Sequence, residues 1–160
     1  MERILIVSDN HGDETGIKKI IENEGPFDRM IHLGDSQMSE KELFDLVPCP
    51  IDIVSGNCDS YSSFPKEKIL YIGNHTIYIT HGHLKGVNYG MERLINTAIE
   101  AGADIALYGH THTPFREDMP GLTVINPGSI SRPRQFPKVP TWVLMEVDDY
   151  GDAVFSFKKI

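Results

Sequence analysis

Short apolar runs alternate with polar segments along the whole chain. Nine runs of five to seven residues are rich in β-branched and aromatic side chains, which favours strands over helices. These predicted strands cover residues 3–8, 29–34, 51–56, 68–73, 76–80, 104–109, 122–126, 141–147 and 153–157. The turn at 73–75 between the fourth and fifth runs predicts a hairpin.

Three other segments have the spacing of amphipathic helices. Apolar residues share one face over 14–23 and again from Met91 to a stop at Gly102, and Ser39 with Glu42 has the spacing of a capping box. Helices alternate with strands early in the chain, and strands dominate later. This order favours an α/β fold with either one mixed sheet or two stacked sheets flanked by helices. No repeat, linker or shift in composition divides the chain, so we expect one domain over 1–160.

The composition is that of an ordinary globular protein, with 40% hydrophobic and 24% charged residues. No apolar run approaches the roughly 18 residues that span a bilayer, and the first residues do not have the pattern of a signal peptide. Cys49 and Cys58 are the only cysteines and form no CxxC motif. We therefore expect a cytoplasmic protein without a disulfide framework or a thiolate metal site.

The formal net charge of −8 limits the classes of partner. A strongly acidic chain is unsuited to non-specific binding of long nucleic acids or anionic lipid surfaces. The charge says nothing about a small anionic substrate, because a bound metal ion can reverse the local field.

Candidate chemistry is concentrated where the predicted strands end. Seven Asp, His and Asn residues follow five of these strands: Asp9, His11, Asp35, Asn57, His81, His110 and His112. In α/β folds, ligands bind in the crevice outside the carboxyl ends of the strands. We therefore expect the seven side chains to meet in one crevice, with the neighbouring glycines permitting tight turns.

The types of donor restrict the chemistry of this crevice. Oxygen and imidazole nitrogen suit manganese, iron, nickel, cobalt or zinc and disfavour iron–sulfur chemistry. Seven donors exceed the needs of one four-coordinate zinc but suit two ions that share a bridging carboxylate. Two divalent ions outweigh the charges of Asp9 and Asp35, so the site would attract a phosphate and lower the pKa of a bridging water.

Taken in order, the motifs D-x-H (9–11), G-D (34–35), G-N (56–57), H-G-H (81–83) and G-H-T-H (109–112) resemble those of the calcineurin-like metallophosphoesterases. The chain is most similar to their small, single-domain bacterial and archaeal phosphodiesterase branch. The resemblance implies a four-layer αββα sandwich and a dinuclear centre, with manganese as the expected metal and nickel, iron, cobalt or zinc as alternatives. It also implies hydrolysis of small phosphodiesters by in-line attack of a metal-bridging hydroxide.

The resemblance further implies a division of the ligands between two metals. Three residues would hold one ion, three would hold the other, and Asp35 would bridge the pair. The first set is Asp9, His11 and His112, and the second is Asn57, His81 and His110. The two histidines of the G-H-T-H motif would then serve different metals.

The chain departs from the pattern of many relatives at Cys58. They have a histidine there that contacts the substrate phosphate and protonates the leaving group. The general acid therefore stays open, with Cys58, Asp59 and His83 as candidates. Without that histidine, we expect substrates with good leaving groups to react best.

Other residues carry weaker expectations. Asn57 and Arg132 are candidate substrate contacts, and Arg134 can bind a substrate phosphate together with Arg132. The alternative for the two arginines is a role in the shape of their loop or in an oligomer contact. His32 lies within a predicted strand and is expected to be a core histidine.

The expected partner is a small phosphodiester or nucleotide-like substrate, with no membrane and no extended nucleic acid; a homo-oligomer stays open. Three alternative functions remain. One is a phosphomonoesterase, the second is an interaction module like the retromer scaffold subunit of this fold, and the third is a nuclease, which the acidic balance disfavours.

Overall fold

The computed structural model describes residues 1–160 and contains ten strands and three α-helices. The strands are β1 (Glu2–Val7), β2 (Arg29–His32), β3 (Ile51–Ile53), β4 (Glu67–Ile72), β5 (His75–Thr80), β6 (Ile105–Leu107), β7 (Pro114–Met119), β8 (Leu122–Pro127), β9 (Thr141–Val147) and β10 (Ala153–Lys159). The helices are α1 (Thr15–Glu24), α2 (Glu40–Leu46) and α3 (Glu92–Glu100). A short 3₁₀ turn covers His83–Lys85.

The strands form two mixed five-stranded sheets. The first has the order β10-β9-β1-β2-β3, in which β1, β2 and β3 are parallel, β9 is antiparallel to β1, and β10 is antiparallel to β9. The second has the order β4-β5-β6-β8-β7, in which β5, β6 and β8 are parallel and β4 and β7 are antiparallel edges. The parallel strands of each sheet therefore end at a common edge.

Alternate residues of the same strands pack into different layers. Ile4 and Ile6 of β1 belong to a cluster of 15 buried apolar residues that also contains residues of the second sheet, whereas Leu5 and Val7 pack with α1 and α2. A third cluster packs Leu94 of α3 against the outer face of the second sheet. Two sheets thus lie between helical layers, which confirms the four-layer αββα sandwich.

The predicted elements agree with the structure except at one strand. All nine predicted strands are present, and Ser39 and Glu42 form the reciprocal capping box at the start of α2. Strand β7 was not predicted from the sequence, because this edge strand, PFREDM, exposes most of its side chains and has no alternation of apolar and polar residues. No helix has the length and apolar character needed to cross a membrane.

Candidate metal centre

The parallel strands of both sheets deliver the candidate ligands to one place. Asp9 and His11 follow β1, Asp35 follows β2 and Asn57 follows β3 in the first sheet. His81 follows β5, and the two histidines of the G-H-T-H motif follow β6 in the second sheet. Most of these side chains line an open cavity of about 420 Å³, while Asp9 and His81 are fully buried.

Six of the seven candidates fall into two compact groups. Asp9, His11 and His112 form one, and Asp35, His81 and His110 form the other. The ligand atoms within each group lie within 4.8 Å of one another. Asn57, the seventh candidate, is exposed at the wall of the cavity.

Asp35 lies between the two groups. Its Oδ2 is 3.2 Å from Nε2 of His81 in one group and 3.8 Å from Nε2 of His11 in the other. Its Oδ1 accepts the backbone N–H of Cys58 at 2.8 Å, which fixes the carboxylate. This is the position that a ligand shared by two cations requires.

Three of the histidine rings are held with Nε2 directed into the centre. In each ring Nδ1 lies 2.7 Å from an oxygen acceptor, so Nδ1 carries the proton and the lone pair is on Nε2. The acceptors are the Gln37 side chain for His11, the Leu33 carbonyl for His81 and the Arg132 carbonyl for His112. His110 differs, because its Nε2 lies 3.0 Å from Nδ2 of Asn88 and its Nδ1 is left for a ligand.

Two buried atoms of the centre have no hydrogen-bond partner. They are Oδ1 of Asp9 and Nε2 of His81, which lie 3.7 Å apart. A buried polar atom without a partner typically costs about 1–3 kcal/mol. Divalent cations would satisfy both lone pairs, so the residues present fit the two metal ions that the donor set implies.

The backbone at the centre is strained. Five of the seven candidate ligands have positive φ angles between 47° and 71°, a region that costs a non-glycine residue roughly 1–2 kcal/mol. These residues are Asp9, His11, Asp35, His110 and His112. Hydrogen bonds between the loops impose this geometry, since the backbone N–H groups of Asp9 and His11 donate to the Gly34 and Asp35 carbonyls at 3.0 Å.

Two glycines of the motifs are required by close approach. A Cβ on Gly56 would collide with the side chain and backbone nitrogen of Asp35, and one on Gly109 would collide with Ser8 and lie 2.8 Å from Oδ2 of Asp9. The G-N and G-H pairs therefore allow close contact between the loops after β2 and β3 and between the loops after β1 and β6.

The carboxylates of the centre are ionised. Burial alone would raise the pKa of Asp9, but the neighbouring His112 and His81 rings lower it. For Asp35, burial is likewise outweighed by the His81 ring 3.2 Å away, and the pKa falls well below its usual range. Burial and the charge of His81 lower the pKa of His110. Ionised carboxylates beside neutral imidazole suit a divalent cation.

Asp59, one of the candidate proton donors, is a hydrogen-bond acceptor in this structure. Its buried carboxylate accepts three backbone N–H groups, from Asp35 at 2.7 Å, Gly56 at 2.8 Å and Gln37 at 3.0 Å. Both carboxylate oxygens are thus occupied by backbone donors. Asp59 thus holds the loops after β2 and β3 together.

The other two candidate acids remain near the centre. Cys58 lines the cavity, and burial together with the charge of Asp35 raises the pKa of its thiol, which disfavours a thiolate nucleophile. The ring of His83 lies 5.4 Å from that of His81 and 6.1 Å from that of His110, measured between centroids. Nδ1 of His83 is buried without a partner.

His32 is the core histidine expected from the sequence. Its Nε2 donates to Oδ1 of Asn10 at 2.7 Å, and its Nδ1 accepts the backbone N–H of Gly34 at 3.1 Å. Complete burial lowers its pKa to about 4, so the ring is neutral at pH 7. Through its contacts with Asn10 and Gly34, His32 thus joins the loops that follow β1 and β2.

Several residues that support the candidate ligands were not predicted from the sequence. Gln37 orients His11, Asn88 contacts His110, and the hydroxyls of Ser129 and Ser131 donate to the Asp9 carbonyl at 2.8 and 2.9 Å. No pattern in the sequence marks them, because Gln37 and Asn88 are more than 20 residues from the ligands they touch and the serines more than 100.

Two packed sheets with a carboxylate–imidazole centre at their strand ends define a class of metal-binding proteins, and comparison with known proteins specifies the family. The family model of the calcineurin-like phosphoesterase superfamily domain matches residues 2–150. The chain belongs to this superfamily.

Two curated relatives and two solved structures illustrate the similarity. A probable metallophosphoesterase of Bacillus subtilis is 39% identical over 82% of this chain and 76% of its own length. A phosphodiesterase of Methanocaldococcus jannaschii is 32% identical over 79% of this chain and 82% of its own. The crystal structure of a predicted phosphoesterase from Streptococcus pneumoniae has a TM-score of 0.82 at 31% identity and covers 99% of this chain and 97% of that one. Vps29 of Entamoeba histolytica, as a single mutant, has a TM-score of 0.76 at 20% identity over 99% of both chains, a likeness of fold alone.

Proposed function

We propose that this protein is a phosphodiesterase that uses two divalent cations to hydrolyse small phosphodiesters. The observation that carries the proposal is the pair of donor groups around Asp35 at the base of an open cavity. When bound, the two cations would supply an activated water and neutralise charge on the phosphate. The similarity to a curated phosphodiesterase favours the diester over the monoester.

The residues of the centre have distinct roles in this proposal. Asp9, His11 and His112 hold one cation, and His81, His110 and Asn57 hold the other, with Asp35 shared. Manganese is the proposed metal, although the same donors also accept nickel, iron, cobalt or zinc. Gln37 contacts the ring of His11, Asn88 contacts the ring of His110 and Asp59 accepts the backbone N–H of Asp35, and these contacts keep the three ligands oriented.

Substrate handling falls to the cavity wall. Asn57 and Arg132 lie there and present an amide and a guanidinium toward a bound phosphate. His83 is the proposed proton donor to the leaving group, because its ring lies beside His81 and His110 with Nδ1 unpartnered, whereas the carboxylate of Asp59 is committed to backbone N–H groups.

The alternative of an interaction module without catalysis is less well supported. Such a module has no need of unpartnered buried lone pairs or of five ligand residues with positive φ, both of which cost stability. The acidic net charge continues to disfavour a nuclease acting on long nucleic acid.

The test is hydrolysis of bis(p-nitrophenyl) phosphate and p-nitrophenyl phosphate by chelator-stripped protein with manganese, nickel or zinc added back. We expect metal-dependent turnover that favours the diester. Asp35→Asn should lower the metal-dependent turnover of the diester by at least about 100-fold. Loss of a residue that only supports a metal ligand already costs about 10–100-fold in metal affinity or activity, and Asp35 is itself a proposed ligand. Asp52→Asn, a change at a surface carboxylate paired with Lys68 and Arg29, is the matched control and should retain activity.

Two outcomes contradict the proposal. Absence of turnover of either ester with every metal, in protein shown to bind two ions, favours the interaction module. Metal-dependent turnover confined to the monoester identifies a phosphomonoesterase instead.

A further inference from the structure

Two arginines face the cavity without a charged partner. Arg132 and Arg134 both line it, both are exposed, and neither forms an ion pair with a carboxylate in the structure. By contrast, Arg29 and Arg116 each lie within 4 Å of a carboxylate. Two other arginines also lack such a pair, so the distinguishing feature of Arg132 and Arg134 is their shared place on the cavity wall.

The backbone that carries these arginines is fixed to the centre. The Arg132 carbonyl accepts from Nδ1 of His112 at 2.7 Å, and the Arg134 N–H donates to the His112 carbonyl at 3.0 Å. The Arg132 N–H donates to Oγ of Ser129, whose hydroxyl in turn donates to the Asp9 carbonyl. Both guanidiniums therefore start from anchored positions beside the ligand group of Asp9, His11 and His112.

The charges of the centre indicate what the arginines are for. Two divalent cations, offset by Asp9, Asp35 and an attacking hydroxide, leave one positive charge, and an ordinary phosphodiester brings the single negative charge that balances it. The two guanidiniums then remain unbalanced. A second phosphate on the substrate brings about two negative charges at pH 7, and guanidinium binds phosphate oxygens through paired hydrogen bonds.

We propose that the protein selects phosphodiesters that carry a second, terminal phosphate, which Arg132 and Arg134 bind together. The inference rests on the proposed phosphodiesterase function and specifies its substrate class. In this arrangement the scissile diester lies over the metal centre and the terminal phosphate lies against the 132–134 wall.

The experiment compares two substrates that differ only in the second phosphate. They are the p-nitrophenyl ester of thymidine 5′-phosphate and the same ester with a 3′-phosphate, assayed beside bis(p-nitrophenyl) phosphate. We expect kcat/KM to be at least about tenfold higher for the 3′-phosphorylated ester, the factor that one charge-assisted hydrogen bond supplies. The gain should lie mainly in KM, because the terminal phosphate is bound equally in the ground state and the transition state.

Arginine variants assign the preference to this wall. Arg132→Gln and Arg134→Gln should each reduce the ratio of kcat/KM between the two thymidine esters, and the double variant should bring it close to one. Lys138→Gln, which removes an exposed cation outside the cavity lining, is the control and should keep the ratio. Calorimetry with thymidine 3′,5′-bisphosphate and thymidine 5′-phosphate gives a readout independent of turnover. The wild type should bind the bisphosphate more tightly than the monophosphate, and the double arginine variant should bind the two with similar affinity.

The outcomes separate this inference from the proposed function. Turnover of bis(p-nitrophenyl) phosphate with equal kcat/KM for the two thymidine esters overturns the second-phosphate site and leaves the phosphodiesterase intact. An equal loss on both esters in the arginine variants also overturns it, because the arginines would then serve the scissile phosphate. Absence of metal-dependent turnover with all three esters overturns the proposed function itself.

Discussion

At the scale of single residues, the candidate ligands depend on neighbours that lie outside the two donor groups. Asp59 shows this most clearly, since its two oxygens tie together the N–H groups of Asp35, Gln37 and Gly56. The sequence made Asp59 a candidate proton donor because this residue directly follows Cys58. In the structure this carboxylate accepts three backbone N–H groups and so joins the loops after β2 and β3.

We predict that Asp59→Asn weakens metal binding by about 10–100-fold, the usual effect of losing an outer-shell partner. The amide nitrogen would face backbone N–H groups, so we also expect a loss of about 1–3 kcal/mol in the free energy of unfolding. Chelator competition and denaturant unfolding measure the two effects. Asp104→Asn, which disturbs similar bonds to Thr76 and His75 far from the centre, should lower stability without changing metal affinity.

An opposite result would restore Asp59 as a proton donor. In that case Asp59→Asn would keep full metal affinity but lose turnover, and the loss would be greater for esters with poor leaving groups.

At the scale of elements, the β4–β5 hairpin contains a buried proton donor whose titration affects stability. Tyr78 of β5 is buried, and its hydroxyl donates to Oε2 of Glu67 of β4 at 2.6 Å. Burial, the hydrogen bond and the charge of Glu67 raise the pKa of Tyr78 well above its ordinary value near 10. The folded state therefore retains this proton at pH values where the unfolded chain has lost it.

The sign of the effect on stability follows from that difference. Below pH 10 the contribution of Tyr78 is complete, and as pH rises above 10 the unfolded state binds fewer protons and the free energy of unfolding falls. We predict a slope of up to about 1.4 kcal/mol per pH unit from this group. Tyr78→Phe should make the decline between pH 10 and 11.5 shallower in denaturant unfolding.

Two tyrosines serve as references for this prediction. Tyr71→Phe changes an exposed residue of β4 and should leave the wild-type slope intact. Burial raises the pKa of Tyr108 to about 12. Its titration therefore also lowers the free energy of unfolding at high pH, and this contribution is the same in the wild type and in both variants. Equal slopes for wild type and Tyr78→Phe would show that the hairpin tyrosine does not titrate as described.

At the scale of the whole molecule, the candidate centre lies across the seam between the two sheets. Each donor group takes residues from both: Asp9 and His11 of the first sheet meet His112 of the second, and Asp35 meets His81 and His110. A cation bound by either group therefore links the sheets, and it binds the folded state only.

We predict that metal binding raises the temperature of unfolding of the chelator-stripped protein. A cation at 100 times its Kd adds about 2.7 kcal/mol to the free energy of unfolding. Calorimetry with and without manganese should show one cooperative transition that moves upward with metal concentration. Asp9→Asn, which removes a donor of one group only, should reduce the shift, whereas Asp52→Asn should keep it; an equal shift in all three proteins would place the bound ions elsewhere.

Much of this architecture follows from local patterns in the sequence. Nine strands, three helices and the capping box at Ser39 were predictable, because burial of one face sets an apolar period that a short window reveals. The edge strand β7 was not, since its exposed side chains carry no such period.

The sequence by itself determined which donors the centre contains and that they follow strands, because D-x-H, G-D, G-N, H-G-H and G-H-T-H are local motifs. Only the tertiary structure decided how the donors are grouped, since each group combines loops from two sheets whose ligands are up to 103 residues apart. It also decided the roles of Asp59, Gln37 and Asn88 and the exposure of two unpaired arginines. These depend on through-space contacts, which no local pattern of apolar and polar residues records.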